Sequence, residues 1–583
     1  MLTYHRLEQK PQPKSPEKPW LLVLLALVWL WTGIVGRDLW RSEEIQLYAY
    51  IKAILHNEHW LLPTLYHVPY LNSSPFYLWW GALSQWFLNG LLGISPRFAV
   101  QLLTLMVMSI NFLLLGLAGR GFLGFRQGRV TVSIIIGCIG IVILGHQISP
   151  LPFLLLSLSI YSYVLSRYHK WPILAAGFTL GVAWALAFYI ANFPIVFFLV
   201  ILSLLLLAHQ QWCNRHYILV LLVAFAFFLP LISLWIGAMR ISYPLYLHLW
   251  FVTNSGFIYF LPSLPKLAAH AFYYVKNLSW YAFPAWILAL IAIIKVKSLL
   301  YRDKNYFLFC CWIVFGFIYI IIQPDQQNNA LLLIIPPLAF LGASQIDRLK
   351  HSATSFLNWL GIAMFGSAAL FVWANYIAIN SCLSSHIFAR ALYFNPIYQP
   401  HFSIIAITIA LSFTPLWMYA VVRKHLQGRQ AVTNWAAGVT FLWLLLCSLF
   451  LDWINTNRGY HALVQELENL MSPTIRTALH DKKICMDSNE LEALAAWNEY
   501  STLTVHPAIE PTSALFCRYH LSLSSNSDFS IQHPQALINY APSRIRRKNR
   551  NFILWQTKFY GKQKIKLIMP IKPPKMLFSL LFK

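Results

Sequence analysis

The sequence predicts a polytopic α-helical membrane protein with about 13 spans and a small C-terminal α/β domain outside the cytoplasm. Three observations support this fold class: the composition, the length of the apolar runs, and the placement of Lys and Arg. Of 583 residues, 58% are hydrophobic and only 11% are charged, whereas soluble domains carry roughly 25% charged residues. Lipid rather than water is therefore the expected solvent for most of the chain.

The apolar residues come in runs long enough to cross a bilayer, which takes about 20 helical residues. The first run, 20–36, follows four basic residues and lacks a small-residue cleavage site. We therefore expect an uncleaved first helix, with residues 1–19 in the cytoplasm. The further predicted spans are 98–118, 130–145, 151–165, 172–190, 194–208, 217–236, 278–294, 306–322, 330–346, 356–377, 402–422 and 435–451.

Lys and Arg are distributed in a way that sets the topology. The formal net charge of +25 raises the question of nucleic acid, but the positive charges follow alternate apolar runs. If the runs span in turn, every inner loop is basic, whereas the short outer loops at 146–150 and 323–329 contain no Lys or Arg. This is the positive-inside pattern, so membrane lipids are expected partners and nucleic acid is not.

One further apolar segment, 76–92, would invert all later loops if it spanned. It is interrupted by Gln85 and Asn89 and is rich in Trp and Tyr. These features favour a helix lying at the interface or a shallow re-entrant segment on the outer face. The segment then belongs to the first of three large outer loops, which are 37–97, 237–277 and 378–401.

An odd number of spans places residues 452–583 outside as a C-terminal periplasmic domain, and the transmembrane domain is 20–451. The apolar pieces of the tail are short, which favours an α/β fold with several strands. Cys485 and Cys517 lie in this tail, where an oxidising compartment permits a disulfide, and two free thiols are the alternative. Basic residues between Arg544 and Lys566 either attract anionic headgroups or glycans or form an ordinary solvated face.

The first outer loop carries the most informative polar residues. It begins Gly-Arg-Asp-Leu-Trp-Arg-Ser-Glu-Glu, which ends at Glu44. A carboxylate such as Glu43 can remove or orient the proton of an acceptor, or hold a divalent cation against phosphate. Taken alone, however, two acids beside Arg37 and Arg41 are more typical of a solvated charge cluster.

This loop resembles the first periplasmic loop of the bacterial aminoarabinose transferases and protein O-mannosyltransferase-like enzymes, which are lipid-phosphosugar-dependent glycosyltransferases of the GT-C superfamily. In that family a Leu-Trp pair precedes an Asp-Glu pair by two residues, and Leu39-Trp40 occupies the same place here. Glu43 falls on the family's catalytic Asp, and Glu44 matches the second acid. The resemblance therefore implies that Glu43 is catalytic.

The next two family elements follow at matching intervals, at 59–63 and 69–75. The second departs from the family, because Asn72-Ser73-Ser74 replaces Glu-Lys-Pro. The lysine that would face a lipid phosphate is thus absent, and other cations on the same side are candidates to replace it. These are Arg41, Arg97, Lys266 and His270.

A second outer segment is also similar to the family. His270 opens an aromatic run, 270–274, that leads into 278–286, like the family's His followed by an aromatic span. A His there either contacts phosphate or shuttles a proton, or belongs to an ordinary aromatic belt. The resemblance implies substrate-binding positions at Glu44, Arg41, Tyr70, Lys266 and His270.

Family membership implies a glycosyltransferase of the bacterial inner membrane. It would transfer a sugar from a polyprenyl-phosphate donor, such as an undecaprenyl phosphate sugar, to lipid A, a glycan or a protein on the periplasmic side. The sequence identifies no definite cofactor, and a divalent cation at Glu43 is the one that the acids allow. The alternative is a non-catalytic member that binds a lipid-linked sugar or assists envelope assembly. A transporter or flippase is less favoured, because the apolar runs contain almost no ionisable residues.

Overall fold

Helices make up most of the described residues up to 470. The structure is a computed structural model, and it describes residues 19–40, 42–57, 59–255, 263–297, 299–381, 385–395, 398–421, 428–470, 484–487, 491–503, 505–508, 519–524, 536–540 and 551–556. Arg41, Cys517 and the basic run that ends at Lys566 lie outside these ranges, as do residues 1–18 of the predicted cytoplasmic segment.

The described α-helices are numbered in chain order. They are α1 (Pro19–Trp31), α2 (Ser42–Asn57), α3 (Phe76–Leu92), α4 (Pro96–Leu123), α5 (Phe125–Ile136), α6 (Ile139–Leu144), α7 (Leu151–Arg167), α8 (Ile173–Leu205), α9 (Arg215–Ser242), α10 (Pro244–Ser255), α11 (Leu264–Tyr281), α12 (Ala285–Val296), α13 (Leu299–Arg302), α14 (Lys304–Ile322), α15 (Ile335–Ser344), α16 (His351–Asn380), α17 (Ser385–Phe394), α18 (Ile404–Val421), α19 (Gly428–Leu449), α20 (Leu451–Arg458), α21 (His461–Leu470) and α22 (Leu491–Tyr500).

Seven of the described helices are long and apolar enough to cross a membrane: α4, α8 with its 3-10 extension to Ala208, α9, α14, α16, α18 and α19. The pair α11 and α12 makes an eighth if it is counted as one span, although it bends by 102°. The chain is therefore a multi-pass helical protein by helix length and composition. The predicted count of 13 stays a prediction, since several predicted spans coincide with helices that are short or broken.

The clearest broken helix is α8, which contains both predicted spans 172–190 and 194–208. Its backbone leaves the helical region at Ala191 and Asn192, where φ of Asn192 is 62°. Gly177 packs against Val223, and the Tyr217 hydroxyl donates to the Ser203 carbonyl at 3.0 Å. A straight helix would separate Gly177 and Ser203 by about 40 Å, so the chain reverses at the break and the two halves run antiparallel.

Helix α3 coincides with the predicted interfacial segment 76–92. Just before it, the Ser74 hydroxyl donates to the Tyr189 carbonyl at 2.7 Å, beside the α8 break. Just after it, Arg97 at the start of α4 pairs with Asp38 of the first loop. Trp86, 65% exposed, lies on its open side. Both ends of α3 thus lie near loops that the sequence places outside, and its depth in a membrane stays a prediction.

The described part of the tail contains a mixed five-stranded sheet. Its strands are β3 (Ile484–Asp487), β4 (Val505–Ala508), β5 (Tyr519–Ser524), β6 (Ala536–Tyr540) and β7 (Asn551–Gln556), in the order β4-β3-β5-β7-β6. Strand β3 pairs in parallel with β4 and β5, whereas β7 pairs antiparallel with β5 and β6. The helix α22 crosses from β3 to β4. The domain limits 452–583 and the periplasmic location stay predictions.

The tail is held against the first outer loop through α22. Ala495 and Ala496 share an apolar core with Ile45 and Ile51 of α2. A two-stranded hairpin, β1 (Thr64–Leu65) and β2 (Val68–Pro69), follows α2 and pairs antiparallel. The first loop, the hairpin and α22 therefore form one packed unit.

Candidate functional site

The candidate site is centred on the first turn of α2, where Glu43 and Glu44 are adjacent. Acidic side chains are favourable at a helix N-terminus because the backbone N–H groups there carry partial positive charge. One helical step rotates successive side chains by 100°. As a result Glu43 is exposed whereas Glu44 is only 1% exposed, and the two acids have different surroundings.

Glu44 is fully engaged inside the protein. Its Oε1 accepts two hydrogen bonds from the Arg37 guanidinium, both at 3.1 Å. Its carboxylate also accepts from the backbone N–H groups of Trp40 at 2.8 Å and Ile148 at 3.2 Å. A buried charge needs such partners. The substrate-binding role predicted for Glu44 stays a prediction, and its contacts are those of an anchor between the first loop and the loop at 146–150.

Glu43 has the opposite character. Among the side chains that the structure describes, none forms a hydrogen bond or ion pair with its carboxylate. An exposed carboxylate without an internal partner is available to an incoming hydroxyl or cation. Of the two acids, Glu43 is thus the one whose geometry permits the predicted chemistry.

The segment that departs from the family, Asn72-Ser73-Ser74, carries no cation. The Tyr70 hydroxyl lies 3.1 Å from Ser73 Oγ, and the Tyr70 ring packs edge-on against Tyr50. Burial raises the pKa of Tyr70, so its hydroxyl stays protonated. Ser73 is 5% exposed. The position of the family lysine is therefore a small buried hydroxyl that supports Tyr70.

A cluster of amides connects this segment to the break in α8. The Asn192 side chain donates to the Asn72 carbonyl at 3.0 Å and to Asn254 Oδ1 at 2.5 Å. Asn254 in turn donates to the Leu71 carbonyl at 2.9 Å. These hydrogen bonds connect the first loop, α8 and α10.

The residues predicted in the second large loop lie on α11. Lys266 is exposed in the first turn of that helix. His270 is buried, with Nδ1 3.0 Å from the Ile321 carbonyl, and the Tyr273 hydroxyl donates to Asn328 at 2.8 Å. None of the described contacts joins Lys266 or His270 to Glu43 or Tyr70, so the two predicted groups remain separate in this structure.

Sequence reasoning missed a network formed by Asp38, Arg97 and Tyr500. The Tyr500 hydroxyl donates to Asp38 Oδ1 at 2.6 Å, and Arg97 pairs with the same carboxylate. Burial and the neighbouring Asp38 raise the pKa of Tyr500, so it remains a donor. Asp38 was visible in the sequence, but its partners are 59 and 462 residues away.

No group of three or more His, Cys, Asp or Glu side chains in the described ranges is arranged to hold a metal ion. The divalent cation that the acids allow stays a prediction. Cys485 is disulfide-bonded. Because Cys517 lies outside the described residues, its pairing with Cys485 stays a prediction.

Comparison with known proteins gives no match to a family model and none to a curated protein. Solved structures do match. Crystal structures of ArnT from Cupriavidus metallidurans align with a TM-score of 0.62 when bound to undecaprenyl phosphate and 0.60 in the apo state. The alignments cover 94% and 92% of this chain and 99% and 97% of ArnT, at 14% and 15% identity.

A weaker likeness links the chain to the oligosaccharyltransferase of Archaeoglobus fulgidus, with a TM-score of 0.44 and 12% identity over 87% of this chain and 69% of that one. It does not contribute to the fold assignment. The ArnT match confirms, at the level of the fold, the resemblance that the first outer loop predicted. This chain has the fold of an aminoarabinose transferase over nearly its whole length.

Proposed function

We propose that this protein is a membrane glycosyltransferase that transfers a sugar from a polyprenyl-phosphate donor to an envelope acceptor on the periplasmic side. The observation that carries the proposal is the fold shared with ArnT, which was crystallised with undecaprenyl phosphate bound. The motif intervals of the first outer loop support it independently, because they align Glu43 with the family's catalytic acid.

In the proposed reaction Glu43 acts as the general base. The acceptor hydroxyl attacks the anomeric carbon, the bond from that carbon to the phosphate oxygen breaks, and polyprenyl phosphate leaves with the electron pair. The acceptor proton passes to the Glu43 carboxylate. Attack opposite the leaving group inverts the anomeric carbon. The exposed Glu43 carboxylate has no partner among the described side chains and suits this role, whereas the carboxylate of Glu44 already accepts hydrogen bonds from Arg37 and Ile148.

The remaining assignments belong to the same proposal. Residues 1–19 are cytoplasmic, 20–451 form the transmembrane domain, and 452–583 are periplasmic. Arg41, Tyr70, Lys266 and His270 are proposed to contact the donor or the acceptor. The acceptor is lipid A, a glycan or a protein, and the protein resides in the bacterial inner membrane.

A second candidate function is a non-catalytic binding or assembly protein with the same fold. Ser73 favours it, because this buried hydroxyl stands where the family has the lysine expected to face phosphate. A neutral hydroxyl cannot replace the charge of an ammonium at a phosphate. In this alternative the lipid-linked sugar binds but no transfer follows.

Mass spectrometry of envelope glycolipids and glycoproteins separates the two functions. A deletion strain would be complemented with the wild type, Glu43→Gln or Glu43→Asp. The enzyme proposal predicts that a sugar-sized mass disappears in the deletion strain and returns with the wild type and Glu43→Asp, which restores the family residue. Recovery with Glu43→Gln would show that the carboxylate is not catalytic and would favour the binding protein.

A further inference from the structure

A pocket of about 250 Å³ lies between the first outer loop and the tail. Tyr48 and Lys52 of α2 form one side, Thr64 and Tyr66 of the hairpin form the second, and Glu499 of α22 closes the third. Pockets for drug-sized ligands measure roughly 300–1,000 Å³, so this smaller pocket suits a single ring. Its residues come from three separate segments of the chain, and none has been assigned a role above.

Tyr48 leaves an unused hydroxyl in this pocket. The residue is 3% exposed, and its hydroxyl forms no hydrogen bond within the described part of the chain. Its neighbours do have partners: the Tyr50 hydroxyl donates to the Val68 carbonyl at 3.2 Å, and the Tyr66 hydroxyl accepts from Asn498 at 2.6 Å. Burial raises the pKa of Tyr48. The hydroxyl is therefore protonated and can both donate and accept a hydrogen bond.

The charges around the pocket are already balanced. Lys52 Nζ lies 2.9 Å from Glu499 Oε2, so neither charge is free for a ligand ion. His56 also lines the pocket and carries no permanent charge. A phosphate would thus find no unpaired permanent cation among the lining residues.

The rest of the lining is apolar or carries small polar groups. Ile45, Ala49 and Leu65 contribute carbon surface, and Thr64 adds a second hydroxyl. A sugar ring has the matching chemistry, because its C–H faces are apolar and its edge carries hydroxyl donors and acceptors. Tyrosine hydroxyls, a threonine and an ion pair can each exchange hydrogen bonds with such an edge.

We propose that this pocket binds one sugar ring of a saccharide acceptor, as a subsite separate from the reacting centre. The inference rests on the proposed function, since it names part of the acceptor. Lys52 follows Glu43 by nine residues, which is two and a half helical turns, so the two lie on opposite faces of α2 about 13 Å apart along its axis. The ring in the pocket is accordingly a further unit of a multi-sugar acceptor.

Saturation-transfer NMR on the full-length protein in detergent tests this subsite. The probes are the methyl glycosides of glucose, galactose, mannose, N-acetylglucosamine and arabinose, with inorganic phosphate as the anion probe. We expect at least one glycoside to bind at millimolar concentration. Tyr48→Phe removes only the hydroxyl and should weaken that binding about tenfold, and Ala53→Phe should abolish it by filling the pocket. Tyr50→Phe is the matched control and should bind like the wild type.

The inference is overturned if no glycoside binds, if binding is unchanged in Tyr48→Phe, or if phosphate competes for the same Tyr48-dependent site. Because Tyr48→Phe conserves volume, it keeps the test valid even if Ala53→Phe does not fold. Glu43→Gln should bind glycosides normally. If the protein transfers sugar but does not bind these probes, only the subsite is refuted. If it binds them while Glu43→Gln still restores the product, only the proposed catalysis is refuted.

Discussion

Replacing the two adjacent acids of α2 should have opposite consequences. Glu44→Ala removes a buried carboxylate that Arg37 and two backbone N–H groups require, whereas Glu43→Gln changes an exposed side chain without a described partner. We predict that Glu44→Ala destabilises the fold and that Glu43→Gln leaves stability unchanged while abolishing transfer. The two variants therefore distinguish a structural role for Glu44 from a catalytic role for Glu43.

The magnitude follows from the burial of the pair. Arg37 is 4% exposed and Glu44 is 1% exposed, so removing one partner leaves a buried charge unpaired, which costs about 3–5 kcal/mol. Replacing both by apolar residues removes both charges. The double variant Arg37→Met/Glu44→Met should therefore be more stable than either single alanine variant. Surface substitutions such as Glu43→Gln usually change stability by less than about 0.5 kcal/mol.

The assay measures the apparent midpoint of thermal unfolding of the detergent-purified protein. Samples are heated for a fixed time, and the remaining folded protein is quantified by fluorescence-detected size exclusion. The rank order expected is wild type and Glu43→Gln together, then the double Met variant, then Glu44→Ala and Arg37→Ala. A Glu44→Ala protein as stable as the wild type would refute the anchor. A Glu43→Gln protein that unfolds like Glu44→Ala would refute the separation of roles.

Two further predictions concern the tail. Arg97→Gln should weaken the network around Asp38 and Tyr500 by about 1 kcal/mol, because Arg97 is partly exposed. The variant should also raise the rate at which trypsin releases the tail. An unchanged rate would show that this network does not hold the tail. Cys485→Ser should remove the disulfide, destabilise the tail by about 2–5 kcal/mol and change mobility on a non-reducing gel; a wild-type Cys517 that alkylates without reduction would contradict the predicted pairing.

Much of the fold could be predicted from the sequence, because the thickness of the bilayer sets the length of a spanning helix. The intervals between the motifs of the first outer loop also allowed that loop to be aligned with the family. The breaks could not. The chain reverses at Asn192 within α8, and the extended residue Cys138 separates α5 from α6 inside one apolar run. Hydropathy measures how apolar a segment is and does not report where its helix stops.

The site was predicted in part. Glu44, Leu47, Tyr48 and Ile51 recur at the spacing of one helical face, and that pattern in the sequence could have placed Glu44 inside and Glu43 outside. The Asp38 partners could not have been found, since the Tyr500 contact spans 462 residues and depends on how the tail packs. Local periodicity is readable from one sequence, whereas long-range charge pairing requires the tertiary structure.

The most direct test of the account measures the donor rather than the acceptor. Polyprenyl-phosphate sugars would be extracted from the deletion strain and from strains complemented with the wild type, Glu43→Gln or Glu43→Asp, and quantified by mass spectrometry. The account predicts that one such lipid accumulates in the deletion and Glu43→Gln strains and returns to the parental level with the wild type and Glu43→Asp. A donor pool that is identical in all four strains would contradict the claim that this protein consumes a lipid-linked sugar.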